Sequence, residues 1–155
     1  MTNGAIRYCR AAGTDVLRKI GDGKDGTVYE TSRPSAVKEH VREESYQRER
    51  DAYLRLRERG VRIINGLRIP SFWAFDDELR VIEMSMVRPP YIVDFASAWL
   101  DEPPDFPDNV ISTWHEEIND RFGARTPDVF SLLHALAKKA GVYVLDVHPH
   151  NIKFE

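Results

Sequence analysis

Six residues near the start of the chain, Gly21-Asp-Gly-Lys-Asp-Gly26, restrict its fold more than any other segment. Three glycines at this spacing serve either a strand-to-helix crossover or a turn between two strands. The residues that follow decide between them. In a dinucleotide-binding crossover the third glycine opens a helix whose N-terminus holds a pyrophosphate. Here Gly26 leads into Thr27-Val-Tyr-Glu-Thr31, which alternates in strand fashion, and Ser32-Arg-Pro-Ser35 supplies turn chemistry. Leu17 to Ile20 precedes the glycines as another strand. Strand, glycine turn, strand is the expectation. Glycine permits close approach, so backbone N–H groups of such a turn can lie over nucleotide phosphates.

The remaining segments extend this start into a mixed fold. Ala36-Val-Lys-Glu-His-Val41 reads as a third strand. Glu43 to Arg59 reads as a helix, because Tyr46, Ala52, Tyr53 and Leu56 recur at helical spacing and Gly60 ends the run. Ile69 to Phe75, the turn Asp76-Asp-Glu78 and Leu79 to Met84 form a hairpin. From Val93 the character changes: Asp94 to Leu100, Val110 to Phe122 and Asp128 to Ala140 read as helices, with the loop Pro103 to Pro107 between the first two. Pro127 suits the first turn of the last helix, Gly141 its end, and Val142-Tyr-Val-Leu145 is a short strand entering Asp146. The expected class is α+β: an N-terminal antiparallel five-stranded sheet with one helix over about 14–86, then a reduced, mostly helical part over 87–155. With 155 residues, 42% of them hydrophobic, the chain suits one domain with a sizeable core.

Composition narrows the setting. Cys9 is the only cysteine, which excludes an intrachain disulfide and thiolate-rich metal centres and fits a reducing compartment, so a cytoplasmic location is expected. Met1 to Gly13 lacks a signal-peptide core and no run approaches about 18 apolar residues, so no membrane association is expected. Seven arginines crowd residues 42 to 62, but Glu43, Glu44, Glu49 and Glu58 are interspersed with them. That mixture reads as a solvated helix face rather than a nucleic-acid surface.

Four elements carry chemistry. Lys38, twelve residues after Gly26, sits one strand later and can aim its ammonium at phosphates beneath the glycine turn. Glu49 shares the apolar face of the following helix with Tyr53 and Leu56, where a buried ammonium finds a partner. Asp146-Val-His-Pro-His-Asn151 places a carboxylate and a carboxamide five residues apart around a proline-stiffened turn. Such an Asp can accept a hydroxyl proton, and an Asn oxygen can hold Mg²⁺ against phosphate. His148 and His150 alternate on too short a loop to complete a metal site with Asp146.

In order and spacing these residues resemble the protein kinase superfamily: Gly21xGly23xxGly26xVal28, Ala36-Val-Lys38, Glu49xxAla-Tyr, Val81-Ile-Glu83-Met-Ser85 and Asp146xxxxAsn151. The resemblance implies a protein-kinase-like fold binding ATP and Mg²⁺, with Gly21, Gly23, Gly26 and Val28 around the nucleotide and Lys38 on its α and β phosphates. It further implies Glu49 fixing Lys38, Glu83 and Ser85 offering hinge backbone to adenine, Ile82 as gatekeeper, Asp146 as catalytic base and Asn151 as metal ligand. Choline- and aminoglycoside-kinase-like proteins use a similar Asp-to-Asn loop, so the hydroxyl acceptor, protein or small molecule, stays open.

Three departures qualify this. Val144-Leu145 replaces the usual His-Arg, and His148 replaces the loop lysine. Glu155 follows Asn151 by four residues, before any place for the metal-binding Asp-Phe-Gly aspartate, so either Glu155 substitutes as a donor, or the protein binds without efficient turnover, or the chain is a fragment. Asp94-Phe95-Ala96 precedes Asp146 and is expected to begin the helix after the hinge. Two functions follow: a minimal phosphotransferase moving the ATP γ-phosphate to a hydroxyl, or a pseudokinase that binds nucleotide and regulates a protein partner without efficient catalysis.

Overall fold

The computed structural model describes residues 3–155. Helix α1 (Asn3–Ala12) precedes strands β1 (Val16–Asp22), β2 (Gly26–Thr31) and β3 (Ser35–His40), followed by α2 (Glu43–Glu58). Short strands β4 (Ile63–Ile64) and β5 (Leu67–Arg68) lead to the hairpin of β6 (Phe72–Asp76) and β7 (Val81–Ser85). Then come β8 (Tyr91–Ile92), β9 (Trp99–Leu100), α3 (Asp108–Phe122), a 3-10 turn, α4 (Thr126–Ala140), β10 (Val142–Tyr143) and β11 (Ile152–Lys153). The fold is α+β, and its main sheet has five antiparallel strands in the order β1-β2-β3-β7-β6.

Strand alternation gives this sheet two differently used faces. Lys38 lies opposite Val28 on one side and Ile82 on the other, and Ala36 lies opposite Met84. These residues share the face that α2 covers through Tyr46, Glu49, Ala52, Tyr53 and Leu56, all buried. Tyr29, Val37 and Val81 share the opposite face and pack with Ala5, Tyr8 and Cys9 of α1. This first helix lies before the stretch read as structured from sequence. Its exposed N–H groups are satisfied from afar: the Glu39 carboxylate accepts from Gly4 N at 3.2 Å and Ala5 N at 3.1 Å.

The second half is less helical than expected. β11-β8-β5-β4 form a small sheet and β9 pairs with β10, while α3 and α4 pack beside them. Because β4 and β5 come from the first half and β8 and β11 from the second, a single core runs through both, from Tyr46 and Tyr53 to Leu132 and Ile152. The helix expected over Asp94 to Leu100 is absent. Asp94 takes a left-handed φ of 67°, and Trp99 and Leu100 pair with Tyr143 and Val142. Long-range pairing, reinforced by the Arg48 guanidinium 4.4 Å over the Trp99 ring, outweighs the local helical composition. Among the described residues no helix is long and apolar enough to cross a membrane.

Candidate functional site

A cavity of about 760 Å³ opens beneath the glycine turn, between the main sheet and the second half of the chain. The turn is closed by Gly23 N donating to Gly26 O at 3.0 Å, and Gly21 pairs with Val28 across the hairpin. Gly21, Gly23, Gly26 and Val28 all line the cavity. The three glycines are not equivalent. A Cβ on Gly26 would stand 2.2 Å from the Glu39 carbonyl oxygen, whereas one on Gly23 would meet nothing within 4 Å. Gly26→Ala is therefore expected to destabilise the protein by about 1–3 kcal/mol, the range for overpacking, and Gly23→Ala by about 0.5 kcal/mol or less. Urea midpoints of the two variants check this; equal midpoints would show that the hairpin yields freely at Gly26.

Lys38 and Glu49 meet as predicted. Nζ lies 2.8 Å from Glu49 Oε1, and both side chains are buried. Helical periodicity brings Glu49 to the inner face of α2 and strand alternation aims Lys38 the same way. Burial by itself would lower the Lys38 ammonium, but Glu49 and Asp94 together outweigh it and hold the group above its ordinary range. Burial likewise opposes the Glu49 carboxylate, yet Lys38 and then His40 bring it down to about 2.

The helix expected to begin at Asp94 does not form, and Asp94 instead faces Lys38. Its Oδ1 lies 3.2 Å from Lys38 Nζ, and the same oxygen accepts the Ala96 N–H. Phe95 beside it is fully buried, edge-on to Tyr53 at 5.2 Å, and donates its N–H to Glu49 Oε2 at 2.5 Å. The segment thus brings a carboxylate into the cavity and anchors it through an aromatic side chain and a backbone N–H. Burial pushes the Asp94 carboxyl up, against the pull of Lys38. The usable sequence signal was Asp-Phe in front of a small residue; chain order argued against it, and order does not constrain where a loop lands.

The Asp146 loop closes the cavity floor. Ser97 Oγ accepts from Asp146 N at 2.8 Å and Leu145 N at 3.2 Å. Trp114 Nε1 donates to Leu145 O at 2.8 Å, and Arg121 donates to Val147 O at 3.0 Å. Two helix side chains and one serine therefore fix a loop that lacks regular structure. Asp146, His148, His150 and Asn151 all line the cavity. His148 Nδ1 accepts the His150 N–H at 3.2 Å, which leaves Nε2 as the donor. Burial, His150 and Arg121 push the His148 ring below its ordinary range, so it presents a hydrogen-bond donor rather than a charge to the cavity.

Carboxylate oxygens of Asp25, Asp94 and Asp146 all lie within 4.8 Å of one another. Asp25, from the glycine turn, also lines the cavity and is engaged by Arg42 at 3.3 Å. Glu155, the substitute donor considered from sequence, pairs instead with Arg125 at 3.1 Å and does not line the cavity.

Of the two residues expected at a hinge, only Ser85 reaches the cavity. Glu83 does not line the cavity; its side chain is fully buried on the α1 face, where Arg33 forks onto it, Tyr8 donates at 2.8 Å and Ser35 at 2.6 Å. Its backbone is already flanked by Val37 and Ala74 in the sheet. Ile82 is buried away from the cavity, whereas Met84, Ser85, Met86 and Val87 line it. On this strand the cavity wall begins at Met84, whose Sδ lies 3.4 Å from the Tyr53 hydroxyl. Compared with protein-family models and with curated protein sequences, the chain matches none.

Proposed function

We propose that this protein is a protein-kinase-like phosphotransferase that binds ATP with Mg²⁺ beneath the glycine turn and passes the γ-phosphoryl group to a hydroxyl. The observation that carries the reading is the buried Lys38–Glu49 pair at 2.8 Å, facing a cavity that Asp94, Asp146 and Asn151 also line. A lysine kept charged by two carboxylates under a glycine turn suits the α and β phosphates. Val28, Ala36 and Met84 offer apolar surface for a base, and the Ser85 to Val87 segment offers backbone polar groups.

Asp94, Asp146 and Asn151 fit a hard divalent cation, since all three offer oxygen donors and the two carboxylates approach within 4.8 Å. When bound, Mg²⁺ would neutralise phosphate charge there. The chain's own residues perform the transfer. Asp146 accepts the proton of the acceptor hydroxyl as its oxygen bonds to the γ-phosphorus; the bond to the β–γ bridging oxygen breaks, and ADP leaves. Lys38 and the His148 Nε2–H stabilise the phosphate oxygens. The pseudokinase alternative drew on a missing metal carboxylate, and Asp94 in the cavity weighs against that reason.

Calorimetry and thermal shift with ATP, with and without Mg²⁺, test the reading. Wild type should be stabilised at millimolar nucleotide by mass action, and Lys38→Met should weaken binding about tenfold, the loss of one charge-assisted contact. Absence of any shift for wild type would overturn nucleotide binding. Binding without transfer to any hydroxyl acceptor would move the reading to the regulatory alternative.

A further inference from the structure

His40, the last residue of β3, is completely enclosed. Its Nε2 lies 2.7 Å from Glu49 Oε1, and its Nδ1 lies 3.1 Å from the Arg80 carbonyl oxygen, which also accepts the His40 backbone N–H at 3.0 Å. Both ring nitrogens therefore face acceptors. A neutral imidazole has one N–H and one lone pair, so in either tautomer it would set a lone pair against an oxygen. Only a ring carrying two protons satisfies both contacts. Charge balance agrees, because the cluster sets Glu49 and the part-exposed Asp94 against Lys38, and a second cation completes neutrality.

From α2 the His40 ring meets Glu49 and the Tyr46 ring, edge-on at 5.4 Å. Lys38, on its own strand, reaches it through Glu49, and Asp94 lies beyond Lys38. β2 places Gly26 opposite it, with no side chain, and the β6–β7 turn presents the Arg80 carbonyl.

Glu49 Oε1 is thus shared between Lys38 and His40, while Oε2 accepts the Phe95 N–H. This one carboxylate ties together β3, α2 and the Asp94–Phe95 segment, and its orientation decides where Lys38 points. We propose that His40 is a positioning residue whose doubly protonated ring fixes Glu49, keeping Lys38 aimed into the cavity, so that nucleotide affinity falls as rising pH removes one of its protons. The effect on affinity rests on the nucleotide reading above; the hydrogen-bond geometry does not.

Imidazole nitrogen NMR of the full chain, with ATP titrations from pH 6 to 9, tests this. In wild type both His40 nitrogens should carry protons near neutral pH, and the ATP dissociation constant should rise with the loss of one. His40→Leu should bind ATP about tenfold more weakly with the His40-dependent step gone from its pH profile, and His40→Gln, which restores a donor towards Glu49, should recover part of the affinity without restoring the step. A His40 ring with a single protonated nitrogen throughout that range would overturn the proposal. So would His40→Leu or His40→Gln binding with the wild-type affinity and profile. If wild type binds no ATP, the functional reading fails, while the ring spectrum still decides the protonation and bonding of His40.

Discussion

Asp94→Asn should lower the proposed phosphotransfer by about 100-fold or more while leaving the fold in place, because it removes a charge that the proposed transfer needs and little else. Asp94 occupies the left-handed region, which asparagine tolerates better than most residues, and an asparagine oxygen can still accept the Ala96 N–H now accepted at 3.2 Å. What disappears is a negative charge beside Lys38. In the native protein that charge is held at a cost, since burial raises the Asp94 carboxyl in spite of Lys38. A divalent cation would relieve the cost in wild type and find no charge to pair with in the variant. Binding of ATP alone should be unchanged or tighter in Asp94→Asn, whereas the gain on adding Mg²⁺ should shrink. Rates measured against rising Mg²⁺, with calorimetry of ATP alone, separate these effects. Asp25→Asn provides a comparison and should cost less, because Arg42 already engages Asp25 at 3.3 Å. A wild-type rate and Mg²⁺ response in Asp94→Asn would remove Asp94 from the chemistry.

Arg33→Met is expected to lower folding stability by about 3 kcal/mol. Glu83 is fully buried, and Arg33 grips its carboxylate with both Nε and Nη2 while Tyr8 and Ser35 complete the shell. Burial opposes the ionised form, and Arg33 is the first of the groups that keep it ionised below the ordinary carboxylate range. Removing the guanidinium leaves a buried charge with neutral donors only, a change that costs roughly 3–5 kcal/mol. The lower end applies because the Arg33 side chain is 39% exposed and partly screened. Adding Glu83→Gln to Arg33→Met should return much of the loss, since a neutral amide oxygen still accepts from Tyr8 and Ser35. Denaturant midpoints of both single variants and the double variant form the cycle that measures the coupling. A midpoint for Arg33→Met equal to wild type would mean that solvent reaches Glu83 and the pair acts as an ordinary surface bridge.

Local pattern made much of the first half legible. Alternation in Thr27 to Thr31 and Ala36 to Val41 located β2 and β3, and the spacing of Tyr46, Ala52, Tyr53 and Leu56 located α2. From those periods it followed that Lys38 and Glu49 face each other, and they do, at 2.8 Å. The helices α3 and α4 carried equally clear signals, including Pro127 in the first turn and left-handed Gly141 at the end. The α1 helix escaped notice because its N-terminus is capped by Glu39, 34 residues from Ala5, rather than by a neighbour in sequence.

What the sequence by itself determined is the longer elements β1, β2, β3, α2, β6, β7, α3 and α4, and the inward side of β3 and α2, because strand and helix periods are local properties of the backbone. What only the tertiary structure decided is which loops meet between those elements. Asp94 enters the cavity through a left-handed residue, with Phe95 buried against Tyr53 and its N–H held by Glu49, and none of these partners lies near it in the chain. Glu83 turns away from the cavity because strand alternation puts it with Val37 on the α1 face while Met84 shares the cavity face with Ala36, a register set by pairing with β3 and β6. Such choices depend on long-range pairing and burial, whose energies exceed local propensity and which leave no periodic trace in the sequence.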